Sequence, residues 1–129
     1  MMAAAGLVLM VGAAQAADAE RKIDPTFLHR NTNSLKEVVS DMSAPGCRFK
    51  PMFGEGDADA NPQSGVARFA LVEVDPGASC KTVRYPQEDQ IYVVLKGSAT
   101  AVYDSAPVAL ATEDFLYLPA TLPHGLRNI

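Results

Sequence analysis

Six short apolar runs separated by turn residues occupy the second half of the chain and determine its fold class. They are rich in Val, Tyr, Phe and Thr, residue types that are enriched in β-strands. Turn sequences such as Asp75-Pro76-Gly77 and Lys96-Gly97 separate them, and no amphipathic helical pattern of useful length competes. Short strands at this spacing predict an antiparallel sandwich or barrel. The runs are 66–74, 80–85, 90–95, 98–103, 108–110 and 114–118.

Upstream of these runs the pattern is less regular. One further strand is predicted at 47–53, where apolar and basic residues alternate, whereas 34–42 fits a short strand or a helical turn about equally well. Residues 54–65 form an acidic, glycine-rich segment whose spacing invites comparison with a calcium loop. Because it lacks the closing glutamate and the flanking helices of such a loop, we interpret it as a solvated loop.

The length and charge of the chain limit its partners. A chain of 129 residues suits a single domain with a core of its own. The net charge is −4, and the 11 basic residues are scattered along the sequence. Nucleic-acid binding requires a clustered basic face, and membrane-surface binding requires a polybasic patch, so neither partner is expected.

The first 16 residues have the pattern of an export signal. They carry no charge, their middle is apolar (residues 7–11), and Ala14-Gln15-Ala16 offers the small residues that a signal peptidase accepts. We predict cleavage before Ala17 and a periplasmic or secreted protein, although no Lys or Arg precedes the apolar run. An uncleaved anchor or a disordered start is the alternative, and the run is short for a span of roughly 20 residues. Residues 17–45 are then an N-terminal arm, and 46–129 the folded domain.

The two cysteines, Cys47 and Cys80, admit two interpretations. In an oxidising compartment they could form one disulfide, worth about 3–4 kcal/mol on the chain-entropy estimate. They could equally be separate buried thiols that act as small apolar side chains. No CxxC motif or Cys/His cluster indicates a zinc site.

Residues 77–97 resemble the first motif of the cupin superfamily, in which Gly, five residues, His-x-His, three or four residues, Glu, six residues and Gly follow one another. Gly77 begins the motif in this chain and Gly97 closes it. The two histidine positions fall on Val83 and Tyr85, and the glutamate position falls on Gln90. The spacing is kept while the metal-binding side chains are replaced.

Residues 113–128 resemble the second cupin motif, which runs Gly, five residues, Pro-x-Gly, two residues, His, three residues, Asn. The corresponding positions are Glu113, Pro119, Thr121, His124 and Asn128. The residue patterns of "EDQIYVVLKG" and "DFLYLPATLPHGLRN" are also similar to those of cupin strands.

The resemblance implies an all-β fold, a small cupin-type double-sheet β-barrel of the jelly-roll kind over 46–129. Cupins generally continue past the second-motif asparagine with one or two strands that complete the barrel, whereas this chain stops at Ile129. The barrel is therefore expected either to be incomplete at its C-terminus or to be completed by N-terminal strands or a partner subunit. Since an unpaired edge is a template for pairing and cupins often dimerise, a homodimer is plausible.

The resemblance also bears on metal binding. In metal-binding cupins, the two first-motif histidines, the glutamate and the second-motif histidine hold iron, manganese, nickel or zinc. Only His124 is kept here. Val83 cannot bind an ion, Tyr85 binds only near deprotonation, and Gln90 offers a neutral oxygen. We therefore expect no tightly bound cofactor; a divalent transition metal, if one binds, would use His124, Gln90, Tyr85 and Glu88.

Strand alternation predicts where these side chains point. If Tyr85 faces inward, so do Gln90 and Tyr92 on the paired strand, and together with His124 they would line a pocket for a small polar molecule such as a sugar or an organic acid. His124 is the best candidate for an acid or base. Glu88 is expected at a strand start facing solvent, unless it folds into the pocket. The alternatives are a metal-dependent enzyme (dioxygenase, isomerase or lyase) and an accessory or structural subunit whose polar groups satisfy one another.

Overall fold

The computed structural model of the protein describes residues 6–14, 29–56, 66–104 and 106–129, with the side chains of 13 and 14 left aside. Most of the acidic 54–65 segment, interpreted as a solvated loop, and the first part of the predicted arm lie outside these residues. The described part forms eight strands and one turn of 3-10 helix, at Thr32–Ser34. The strands are β1 (Gly6–Ala14), β2 (Cys47–Gly54), β3 (Arg68–Val74), β4 (Glu88–Lys96), β5 (Ser98–Tyr103), β6 (Ala106–Ala111), β7 (Phe115–Leu118) and β8 (His124–Arg127).

The strands form two antiparallel sheets that pack face to face. The larger sheet has the order β2-β3-β1-β4-β7, and the smaller has the order β6-β5-β8. The predicted all-β, double-sheet fold is therefore confirmed, with two sheets that do not close into one continuous barrel. Among the described residues, no helix is both long enough and apolar enough to cross a membrane.

The segment predicted as a strand at 80–85 is less regular than expected. It joins the smaller sheet through isolated pairings, Ser79 with Arg127 and Val83 with His124. Between them, the backbone N–H of Lys81 donates to the carbonyl of Met42 in the N-terminal arm instead of to β8. Because its hydrogen bonds alternate between two neighbours, the segment does not form a continuous ladder.

The core lies between the sheets and follows the alternation predicted for β4. Gln90, Tyr92 and Val94 are buried, whereas Ile91 and Leu95 on the opposite face of the strand are exposed. From the smaller sheet, β8 contributes its own buried side chains to the same layer. The fold thus places the polar groups of β4 and β8 in an otherwise apolar interior.

β1 is an interior strand of the larger sheet and coincides with the apolar run of the predicted export signal. Val8 lies opposite Val72 of β3 and Val94 of β4, and Met10 is similarly flanked on both sides. Both Val8 and Met10 are fully buried. Completion of the barrel by N-terminal strands was one of the alternatives considered, and the structure has such a strand, β1, inside the larger sheet. Cleavage before Ala17 is not tested by this pairing and stays a prediction.

The two cysteines form a disulfide that links the sheets. The sulfurs of Cys47 and Cys80 are 2.07 Å apart, and the two residues are separated by 33 positions in sequence. Cys47 begins β2 in the larger sheet, while Cys80 lies in the segment that pairs with β8. The bridge is therefore the interpretation that holds, and it fixes the irregular 79–83 segment against the larger sheet.

Candidate functional site

His124 lies between the sheets with both ring nitrogens in hydrogen bonds. Its Nδ1 is 3.0 Å from the carbonyl oxygen of Leu122, and its Nε2 is 2.7 Å from the hydroxyl of Tyr92. Since a carbonyl can only accept, Nδ1 carries the proton and the hydroxyl of Tyr92 donates to Nε2. Burial lowers the pKa of His124 and raises that of Tyr92, so both groups are neutral at pH 7.

A second polar group, formed by Arg68, Glu88 and Gln90, lies beside β1. Arg68 donates from Nε to Glu88 Oε2 at 2.8 Å and from Nη2 to Glu88 Oε1 at 3.2 Å, which makes a bidentate pair. Gln90 donates from Nε2 to the same Glu88 Oε2 at 3.0 Å. Gln90 is 1% exposed, yet its Oε1 accepts no hydrogen bond from any residue that the structure describes. The interior therefore contains a buried acceptor without a donor.

The position of Glu88 corrects the expectation that it faces solvent. Its side chain is only 17% exposed and points toward Arg68, because that buried guanidinium requires a counter-charge. We had not predicted Arg68 as a site residue. The signal was present, since Arg68 is the single basic residue of the 66–74 run and shares the inward face of β3 with Ala70 and Val72.

Tyr85 connects this group to the surface. Its hydroxyl donates to Asp41 Oδ1 at 3.0 Å, and the Arg68 guanidinium lies 4.2 Å from the centre of its ring. Burial raises the pKa of Tyr85 well above its ordinary value, so the phenol keeps its proton. The side chain of Asp41 is 50% exposed, and its Oδ1 lies 3.9 Å from Nη1 of Arg68. Asp41 belongs to the predicted arm, where nothing in the sequence had distinguished it.

Three of the four predicted ligand-binding residues, Tyr85, Tyr92 and His124, lie next to one another in the structure. The ring of His124 lies 5.4 Å from that of Tyr92 and 5.8 Å from that of Tyr85, measured between centroids. Gln90 is linked to Tyr85 through Glu88 and Arg68. The predicted residues therefore belong to one interior cluster.

A cavity of about 260 Å³ adjoins this cluster. Arg68 forms part of its wall, and Asp41 lies at its rim. The remaining wall comes from the arm and from the end of β2. The lining residues are Val39, Ser40, Asp41, Phe49, Glu55, Gly56 and Arg68. Among these lining residues Arg68 is cationic, and Asp41 and Glu55 are anionic.

The buried, neutral state of His124 predicts acid sensitivity. The unfolded chain binds a proton at its ordinary pKa of about 6.5, whereas the folded protein resists protonation because burial lowers the pKa of His124. The folded state then holds fewer protons, so the free energy of unfolding falls as the pH drops below 6.5, by up to about 2 kcal/mol at pH 5.

Urea unfolding at pH 7.5, 6.5 and 5 measures this effect. His124→Gln is expected to remove the slope in that range, whereas His29→Gln should keep it, because His29 is exposed and is the only other histidine. An unchanged slope in His124→Gln would contradict the assignment.

Two antiparallel sheets with a polar cluster between them define a small double-sheet β domain of the jelly-roll class. Residues 70–129 match the family described as the cupin domain, and the chain belongs to the cupin superfamily. The matched segment runs from β3 to the end of the chain and includes Tyr85, Glu88, Gln90 and His124, whereas Arg68 lies just before it. The chain has no significant match among curated proteins.

The metal-binding capacity of the site depends on its donors. Within the described ranges, no three or more His, Cys, Asp or Glu side chains are grouped so that they could hold an ion. His124 has both nitrogens in hydrogen bonds, and Tyr85 is protonated with a guanidinium against its ring. His124 and Tyr85 therefore do not fit a divalent cation, because hydrogen bonds occupy the lone pairs of the ring nitrogen and the phenol, and the Arg68 guanidinium lies against the Tyr85 ring.

Proposed function

We propose that the protein is an exported cupin that binds a small polar molecule between its sheets without a tightly bound metal. The observation that carries this proposal is the Oε1 atom of Gln90, a buried acceptor with no described donor. Leaving such a group unsatisfied costs about 1–3 kcal/mol. A ligand hydroxyl that donated to this oxygen would recover that free energy.

The charges of the cluster favour a neutral, hydroxyl-rich ligand over an acid. Arg68 contributes +1 and is paired with Glu88 and Asp41, which contribute −1 each, so that the formal sum is −1. A carboxylate would be repelled by this surplus, whereas sugar hydroxyls can donate to Asp41 and accept from Arg68, which both line the cavity. We therefore place a sugar-like ligand ahead of an organic acid.

Thermal unfolding of the full chain with a panel of monosaccharides and short hydroxy acids tests this proposal. At least one neutral sugar is expected to raise the melting temperature by several degrees at millimolar concentration, and Asp41→Asn is expected to reduce the effect. Elemental analysis of the same preparation tests the alternative, a metal-dependent enzyme. Stoichiometric iron, manganese, nickel or zinc that is lost in His124→Ala would favour that alternative. No response to any compound would favour an accessory subunit.

Export is supported by the disulfide as well as by the first 16 residues. Structural disulfides persist in oxidising compartments such as the periplasm and the extracellular space. The bridge between Cys47 and Cys80 joins β2 of the larger sheet to the segment that pairs with β8 of the smaller sheet. A protein that depends on this bridge is better suited to a periplasmic or secreted location than to a reducing one.

A homodimer through the outer face of β4 and β7 is our proposal for the oligomeric state. Ile91 pairs with Tyr117 across these strands, and Phe115 lies in the next row. Phe115 is 71% exposed and Tyr117 53%, which makes an apolar face of the kind that a second copy can cover. Phe115→Lys should convert the dimer to monomer in sedimentation experiments, whereas Ile129→Lys, at an even more exposed position that follows β8 of the smaller sheet, should not. A monomeric wild type would contradict this proposal.

A further inference from the structure

Residues 6–14 have two uses in this chain. As β1 they are hydrogen-bonded to β3 on one side and to β4 on the other. They also contain the apolar run of the export pattern. The other neighbour of β3 is β2, and that of β4 is β7, so withdrawal of β1 would leave two facing strand edges unpaired.

The space that β1 occupies between β3 and β4 leaves no room for a side chain at position 12. A Cβ atom on Gly12 would lie 2.5 Å from Cγ of Arg68, 2.8 Å from Oε2 of Glu88 and 2.9 Å from Nε2 of Gln90. All three distances are shorter than real Cβ contacts allow, and all three side chains belong to the buried polar group. Only glycine fits above this group without displacing it.

The inward side chains of β1 also fit the position of the strand between the two sheets. Val8 and Met10 are fully buried between the sheets, at the positions that alternate with half-buried Leu9 and Val11. This alternation places small and apolar residues inward, as a sheet interior requires. An export signal, by contrast, requires only a continuous apolar run and makes no demand on a glycine at position 12.

We propose that docking of residues 6–14 as β1 and their use as an export signal exclude each other, so that a chain folded with β1 in place is withheld from cleavage before Ala17. The proposal rests on the export that we propose for this protein. A strand paired on both sides is released only when much of the sheet opens, and the predicted cleavage point follows the last residue of β1 by two positions. Because Gly12 allows β1 to dock above the polar group, it favours the folded, unprocessed chain over the chain that is cleaved before Ala17.

The full chain expressed in a bacterial host tests this proposal through one variant and one control that add the same number of carbons. Gly12→Val places a Cβ against Arg68, whereas Ala4→Leu enlarges the apolar run before β1 begins. Mass spectrometry measures the ratio of chains that begin at Ala17 to unprocessed chains. Gly12→Val is expected to raise this ratio roughly threefold or more, and Ala4→Leu to change it by less than about twofold, because Gly12 lies within β1 above the polar group and position 4 precedes the strand.

Thermal unfolding of the unprocessed chains supplies an independent measurement. Gly12→Val should lower the melting temperature by roughly 5–15 °C and Ala4→Leu by only a few degrees. Where Gly12→Val does not fold, Gly12→Ala serves as the milder variant. Equal rises in the processed ratio for Gly12→Val and Ala4→Leu, or equal melting temperatures for Gly12→Val and wild type, would overturn the proposal. If no variant is processed at all, the proposed export is wrong and this inference fails with it; a retained melting difference would show that β1 still docks.

Discussion

Arg68→Met is expected to lower the free energy of unfolding by about 3 kcal/mol, a large share of the stability of a domain this size. The substitution leaves the Glu88 carboxylate in the interior without its bidentate partner. Tyr85 also loses the guanidinium that lies against its ring. Urea unfolding at pH 7 measures the difference from wild type.

Arg48→Met is the matched control. Arg48 lies on β2 and donates four hydrogen bonds to Glu73 and Asp75, more than Arg68 makes to Glu88. Its side chain is 30% exposed, however, and water can replace a lost partner there. We expect a loss below about 1 kcal/mol. If the two substitutions cost the same, burial would not be what makes the Arg68–Glu88 pair important.

Removal of the disulfide in Cys47→Ala/Cys80→Ala is expected to cost about 3–4 kcal/mol, because the unfolded chain regains the entropy of the loop that the bridge closes. The measurement is again urea unfolding, with reduced wild type as the comparison. Reduction should cost the wild type about as much as the double substitution does and should leave the variant unchanged. A wild type whose stability does not respond to reduction would show that the cysteines contribute only by packing.

The strands β3 to β7 were predictable from local patterns alone, whereas β8 was not among the predicted runs. Alternation along β4 predicted that Gln90 and Tyr92 point inward, and the structure confirms this. This succeeds because one face of the strand is buried and the side-chain period is two. The segment from Cys80 to Tyr85 was predicted as a strand but proved irregular, since its backbone partners are set by the arm and by β8, which no local pattern reveals.

The polar cluster was only partly predictable. Tyr85, Gln90, Tyr92 and His124 were found by alternation and by motif spacing. Asp41 was not, because its role arises from the packing of the arm against the sheets. Arg68 carried a usable signal, namely a charge on the inward face of an apolar strand, since a buried charge requires a partner.

The role of residues 7–11 could not be decided from their sequence. An apolar run of this length suits an export signal and a buried interior strand equally well. What makes it a strand in the structure is the space between β3 and β4, which depends on residues more than fifty positions away. Such long-range pairing leaves no local trace apart from Gly12, whose significance appears only once Arg68, Glu88 and Gln90 are placed beneath it.

Titration calorimetry of wild type and Gln90→Met with the neutral sugar that most raises the melting temperature tests the ligand site most directly. We predict that Gln90→Met, which removes the unsatisfied acceptor, unfolds within about 1 kcal/mol of wild type in the absence of sugar but binds the sugar at least tenfold more weakly. A variant that binds the sugar as tightly as wild type, or a wild type that binds none, would show that the interior cluster is not a ligand site.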